Sequence, residues 1–204
     1  MKRYVIGVIL LVVAFSCVAT AVGVGGGILV TGVTMDYVNL AIDEYNTANT
    51  TSVSNLHLAW GGEAQVTVGN FWGLIPSLGL RGLSASSVGQ REHVAASLVG
   101  LYGGGTFFFG GWGLCADVGA YRGAFSFPAA GYDGLVGWSG GITGGVSYGL
   151  HFGSAIQIVL GLRLQWLPVW QLADSEGGMY ASRDGAFLDF SGAGVSIGVS
   201  WTGF

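Results

Sequence analysis

Ile156, Ile158, Leu160, Leu162, Leu164 and Trp166 take every second position of one stretch, and Gln157, Gly161, Arg163 and Gln165 lie between them. A repeat of two is the period of an extended chain, since a helix would gather its apolar residues at spacings of three and four. The strand therefore has one face of large hydrocarbon side chains and one that is small or polar. Val195, Ile197, Val199 and Trp201 repeat the pattern near the end of the chain, against Gly194, Ser196, Gly198, Ser200 and Thr202. A soluble sandwich or lipocalin-like barrel would bury the apolar face on a second layer and show more surface charge.

Composition decides against that alternative. Hydrophobic residues make up 51% of the 204 positions and charged residues only 9%, where soluble domains carry roughly a quarter. Glycine occurs 39 times without a collagen-like triplet period. A barrel standing in lipid needs this combination: apolar residues outside, small or weakly polar ones inside, and few charges apart from loops and lumen.

The first 21 residues read as a secretion signal, with Lys2 and Arg3, an apolar run from Tyr4 to Phe15, and Ala19-Thr20-Ala21 as the cleavage site. That run is short for a membrane-spanning helix. A lipoprotein cut before Cys17 and an uncleaved anchor are the alternatives. Cleavage after Ala21 leaves one domain, 22–204, with five arginines, no lysine and eleven acids, so its net charge is 5 − 11 = −6. No basic patch exists for nucleic acid. Cys115 is then the only cysteine, which excludes an intramolecular disulfide and a thiolate zinc cluster.

Eight strands are expected, near 23–33, 57–68, 77–85, 94–106, 112–124, 145–152, 156–166 and 189–204. Between the first two, Met35, Val38, Ile42 and Tyr45 recur at helical spacing opposite Asp36, Asn39, Asp43 and Glu44. They predict a short helix over 35–46 with Thr34 as N-cap. Its apolar face must pack on a rim, plug the mouth or lie in the bilayer interface. Gly25 to Gly27 mark close contact with the last strand or flexibility near the start. Links after the odd-numbered strands read as long and polar, those after the even ones as short. That is the asymmetry of a barrel with both termini in the periplasm.

The segment Leu188-Asp-Phe-Ser-Gly192 followed by Val195-x-Ile-Gly198-Val-Ser-Trp, with a terminal Phe204, resembles the C-terminal strand of small bacterial outer-membrane β-barrels of the eight-stranded OmpA/OmpX-like class. Phe204 lies three residues after Trp201, a slip that Gly203 can absorb through a bulge. Asn39-Leu-Ala-Ile-Asp-Glu-Tyr-Asn46 resembles an insertion in a poorly characterised subgroup of such proteins. The resemblance implies an all-β, antiparallel, up-and-down transmembrane barrel in the outer membrane. It also implies recognition of the last strand by the barrel-assembly machinery, and contact with outer-membrane lipid.

The alternation sends Glu63, Arg81, Asp117 and Arg163 into the lumen. An eight-stranded barrel is just wide enough to be filled by its side chains, so two acids and two arginines are expected to pair there as a polar core. His151-Phe-Gly-Ser154 vaguely resembles the His-x-Ser arrangement of lipid A deacylases, but its spacing of three puts the pair on opposite faces of a strand. Its simplest reading is a tight turn, with no catalytic residue, cofactor or metal ligand. The helix, the Ser126 to Val136 loop and the Trp170 to Leu188 loop are the candidate surfaces for an extracellular ligand, including divalent cations held by their acids. The expected function is a monomeric, non-enzymatic outer-membrane barrel with a filled lumen and a structural or surface-binding role. A narrow pore for small solutes and a lipid-modifying enzyme are the alternatives.

Overall fold

The structure is a computed structural model that describes residues 22–69, 72–88, 92–153, 155–182 and 185–203. The signal and lipoprotein readings, and those on Phe204 and Ser154, lie outside these residues. The elements in chain order are β1 (Val22–Gly32), helix α1 (Asp36–Asn49), β2 (Leu58–Val68), β3 (Leu74–Val88), β4 (His93–Phe109), β5 (Trp112–Phe127), β6 (Tyr132–Phe152) and β7 (Ile156–Trp166). Four short strands follow, β8 (Pro168–Val169), β9 (Gln171–Ala173), β10 (Met179–Ala181) and β11 (Leu188–Asp189), before β12 (Gly192–Gly203).

Each long strand pairs antiparallel with its neighbour from β1 to β7, then β7 with β12 and β12 with β1. The last pairing, from Val22↔Gly203 to Thr31↔Gly194, closes the sheet into an eight-stranded barrel and leaves no edge along the wall. Gly27 and Gly198 face each other across that seam. A Cβ on Gly27 would lie 2.6 Å from the Ile197 carbonyl oxygen, and one on Gly198 2.8 Å from that of Gly26. The glycine run of β1 is thus a close approach of two backbones.

One face of every long strand is turned outward and is apolar. Leu162, Leu164, Trp138 and Trp60 are all more than 60% exposed, although each belongs to a regular strand. Among the described residues no helix is long and apolar enough to cross a membrane. Aromatics gather near both rims: Trp72, Phe107, Phe109, Trp112, Phe152 and Trp201 at the rim of short turns, and Trp60, Trp138, Trp166 and Trp170 towards the other. Two aromatic girdles bounding an apolar band are what a bilayer requires.

Several expectations about boundaries are corrected. β3, β4 and β6 are longer than the alternation suggests, because glycine, alanine and serine dilute both faces where the hairpins rise past the barrel. The predicted 126–136 loop is mostly hairpin, with a 3-10 turn at Pro128–Ala130. The link after β3 is likewise short. Only the links after β1 and β7 are long, and the second contains β8 to β11. The helix starts at Asp36, with Met35 at the N-cap position and no side-chain cap. The Thr34 hydroxyl instead bonds to the Ser191 carbonyl at 3.4 Å.

The outward assignment of β7 has a direct test. Leu160→Arg places a charge near mid-membrane depth and is expected to cost about 2–4 kcal/mol, while Ser175→Arg on the exposed link should change stability by less than about 0.5 kcal/mol. Denaturant titration of the protein folded into phosphocholine vesicles measures both. Equal costs would overturn the assignment.

Candidate functional site

The lumen is closed at two levels. In the middle, alternation points Glu63 of β2, Arg81 of β3, Asp117 of β5 and Arg163 of β7 inward, and the structure brings all four together. The Arg81 guanidinium has no exposed surface. Its Nη2 donates to Asp117 Oδ2 at 2.9 Å and to Glu63 Oε2 at 3.1 Å, and its Nε to Glu63 Oε2 at 3.3 Å. Nη1 donates to Asp117 Oδ1 at 3.0 Å, Thr143 Oγ1 at 2.7 Å and Tyr121 Oη at 3.4 Å. Arg163 grips the other side of Glu63: its Nη1 donates to Oε2 at 2.7 Å, and Nη2 pairs with Oε1.

The result is a chain, Arg163–Glu63–Arg81–Asp117, of two cations and two anions. Glu63 and Arg81 are partners on adjacent strands, and the other two links cross the lumen, from β7 past β12 and β1 to β2 and from β3 past β4 to β5. Paired charges with their hydrogen-bond capacity filled are what a low-dielectric interior tolerates. Tyr102 lies beneath the Arg81 guanidinium, 4.5 Å from carbon to ring centroid, and its hydroxyl donates to Gln65 Oε1 at 3.2 Å. The two lumenal tyrosines need glycines opposite them. A Cβ on Gly79 would stand 2.6 Å from the Tyr102 ring, and one on Gly100 2.6 Å from the Tyr121 ring.

Above this layer the mouth is plugged. Helix α1 turns Val38 and Ile42 inward, both with no exposed surface, onto a cluster that includes Phe125, Phe127, Phe187, Leu188 and Phe190. Tyr37 packs on Phe187 with ring centroids 4.6 Å apart, and Tyr45 edge-on to Phe127 at 5.0 Å. Two asparagines fasten the helix to the strand-like link after it. Asn39 donates to the Leu56 carbonyl at 3.0 Å and accepts from its N–H at 2.7 Å. Asn46 does the same with Val53, at 2.8 Å in both directions. Seven residues separate them, two helical turns, so both amides lie on one side of the helix.

The link after β7 completes the plug. Phe187 and Phe190 donate their N–H groups to Val169 and Leu167, at 2.8 and 3.2 Å. Gln165 donates to the Phe190 carbonyl at 2.7 Å. Ser139 of β6 also holds the Pro168 carbonyl. Sequence reasoning missed Tyr102, Tyr121, Thr143 and these aromatics as members of the site. The inward phase of the two tyrosines, each facing a glycine on the neighbouring strand, is the signal that would have found them.

Other singled-out residues stay apart. His57 is exposed ahead of β2, and His93 is exposed at the start of β4. His151 is exposed at the turn rim, where its ring lies 3.4 Å from the Gln157 amide. Cys115 is a free thiol. The acids of the plugged end spread over its surface, and among the described residues no three His, Cys, Asp or Glu side chains converge to hold a metal ion. Asp174 shapes the β9–β10 turn. Its carboxylate accepts from the N–H groups of Gly178 at 2.7 Å and Glu176 at 2.9 Å, and from the Tyr180 hydroxyl at 3.3 Å. These bonds, the Gly178 N–H first, favour the charged form and hold its pKa below the usual carboxyl value.

No protein-family model and no curated protein matches the sequence. Solved structures do resemble the fold. Ail, the attachment invasion locus protein of Yersinia pestis, in complex with the heparin analogue sucrose octasulfate, superposes with a TM-score of 0.50 at 13% identity, over 90% of this chain and 98% of that one. The outer membrane protein OprG of Pseudomonas aeruginosa gives 0.49 at 10% identity, over 91% and 96%. Neisserial surface protein A gives 0.47 at 12% identity, over 89% and 97%. At such identities the likeness to Ail is one of fold, that of the small outer-membrane barrels.

Two outcomes are expected. Arg81→Met strands Glu63 and Asp117 in the interior and should cost about 3–5 kcal/mol in denaturant unfolding of the folded barrel. Arg81→Lys should rescue only part, because one ammonium cannot reproduce the guanidinium's fork. A midpoint unchanged by Arg81→Met would remove the cluster as a structural core. The Asp174 turn should gain support above the ordinary carboxyl pKa and lose it as pH falls through the lower folded value. The Gly178 amide shift should therefore titrate with a midpoint below 3.8, the ordinary value for this group. A midpoint at or above that value would show that the turn does not hold the carboxylate.

Proposed function

We propose that the protein is a sealed outer-membrane barrel that acts through its surface, with no conducting lumen and no catalytic centre. The fold and the lipid-facing band support an outer-membrane location. The observation that carries the reading is the pair of closures in series, the neutral ion-pair layer and the aromatic plug above it. Either one alone would obstruct a solute, and a charge-balanced layer offers no field to draw ions through.

In this reading the rim of short turns faces the periplasm, and helix α1, the tall β3–β4 and β5–β6 hairpins and the β9–β10 turn face outward. The outer surface then carries Asp36, Asp43, Glu44, Asp133 and Glu176, all exposed or at exposed turns. Such a surface suits a cationic or uncharged partner. It does not suit a polyanion of the kind bound by Ail. The last strand is delivered to the barrel-assembly machinery, the band is solvated by outer-membrane lipid, and the barrel works as a monomer.

Conductance across a planar bilayer tests the reading. The refolded full barrel, checked for heat-modifiable migration, should insert and stay silent at applied voltages of either sign. Steady discrete openings would move the narrow-pore alternative ahead of it.

A further inference from the structure

Arg122 of β5 projects from the outer wall. Its partners across the neighbouring strands, Val99 and Trp138, are 56% and 73% exposed. Among the described residues it is the one Lys, Arg, Asp or Glu in the outward phase of a barrel strand, and no described carboxylate pairs with it. Ten residues separate it from Trp112 in the opposite girdle, a rise of about 25 Å for a strand tilted roughly 40°. That is about the height of the apolar band, so the guanidinium stands at headgroup depth. Further up the same wall come Ser97 and Ser126, where the hydrocarbon surface ends.

Below Arg122 the outward side chains become small. Ala120 and Gly140, partners across β5 and β6, stand above the Val118–Ile142 pair, and at and below that pair lies a groove of about 640 Å³ floored by Gly103, Ala116 and Gly144 and walled by Val118, Ile142, Leu164 and Trp166. The barrel's own packing does not demand these glycines. A Cβ would come no closer than 3.8 Å to anything at Gly140 and Gly144, and 3.9 Å at Gly103. At the lumen-facing Gly100 and Gly104 it would lie 2.1 and 2.2 Å from a backbone oxygen. The outer glycines also lack the positive φ that excludes other residues. Glycine weakens a strand unless something approaches its backbone closely, and nothing in the protein does so here.

We propose that this wall is the seat of one phosphorylated lipid of the outer leaflet, its phosphate on Arg122 and one acyl chain in the groove. A guanidinium offers a phosphate two parallel donors. The six residues from Ala116 to Arg122 run about 20 Å along the strand, an acyl-chain-like length of apolar floor. The assignment rests on the orientation proposed above.

Native mass spectrometry of the full folded barrel in zwitterionic detergent, with diphosphorylated lipid A added, tests it. The unaltered protein should retain one lipid. Arg122→Gln should reduce the retained fraction roughly ten-fold, the loss of one charge-assisted contact, and Gly144→Leu should do the same by filling the groove. Should Gly144→Leu fail to fold, Ala120→Leu fills the same path. Both variants retaining lipid as the unaltered chain does, or fully dephosphorylated lipid binding equally well, would overturn the seat. Labelling of Thr47→Cys on intact cells by an impermeant thiol reagent separates the two ideas. No labelling would sink the orientation, whereas a labelled cap with lipid binding unaffected by the variants would sink only the seat.

Discussion

A guanidinium with no exposed surface must find every partner inside the protein, and Arg81 does so by drawing strands from opposite sides of the barrel to one point. Glu63, Asp117, Thr143 and Tyr121 come from three strands, and Arg163 joins through Glu63 from a fourth. A closed sheet of eight strands has a fixed circumference, so its interior must be filled or flooded. The ion-pair chain fills it at mid-height with groups that cannot be moved singly. Truncating one leaves another charge buried without a counter-charge, which is costlier than the pair is favourable. The tyrosines above and below are held by the same demand, and the glycines opposite them are the space they occupy.

The two faces of the wall obey different solvents, and glycine shows this most clearly. Inward glycines sit where a neighbouring backbone or a tyrosine ring leaves no room for a methyl group. Several outward ones sit where there is ample room. The first kind follows from curling a sheet tightly enough to close with eight strands. The second is unrelated to closure, and its concentration below Arg122 makes that side of the wall unlike the smooth Leu- and Ile-covered surface of β7.

Much of this was legible in the chain. The period of two in β7 and β12 gave orientation directly, and β7 begins and ends where its pattern does. Helix α1 was legible from Val38 and Ile42. Its role as a plug was not, because the aromatics it meets arrive from Phe125, Phe127 and a link 140 residues downstream that reads as a polar loop. The alternation placed Glu63, Arg81, Asp117 and Arg163 on one side of their strands. Their contacts depend on stagger between strands, which no single strand encodes. In β6 the alternation from Val146 to Phe152 was legible but the half before it was not, since Gly134, Gly137, Gly140, Gly141, Gly144 and Gly145 erase the contrast between its faces.

The hairpins of the plugged end are uneven. β3–β4 and β5–β6 climb well past the point where β1, β2, β7 and β12 stop, so the rim is a parapet with a high side and a low side. A large partner descending on the barrel meets the high hairpins first. Helix α1 follows the low strand β1, and its outer residues, among them Asp36, Leu40, Asp43 and Glu44, belong to the side with the shorter wall. Recognition from above is therefore directional: the barrel presents a sill, and a partner that reads it must lean in from one side.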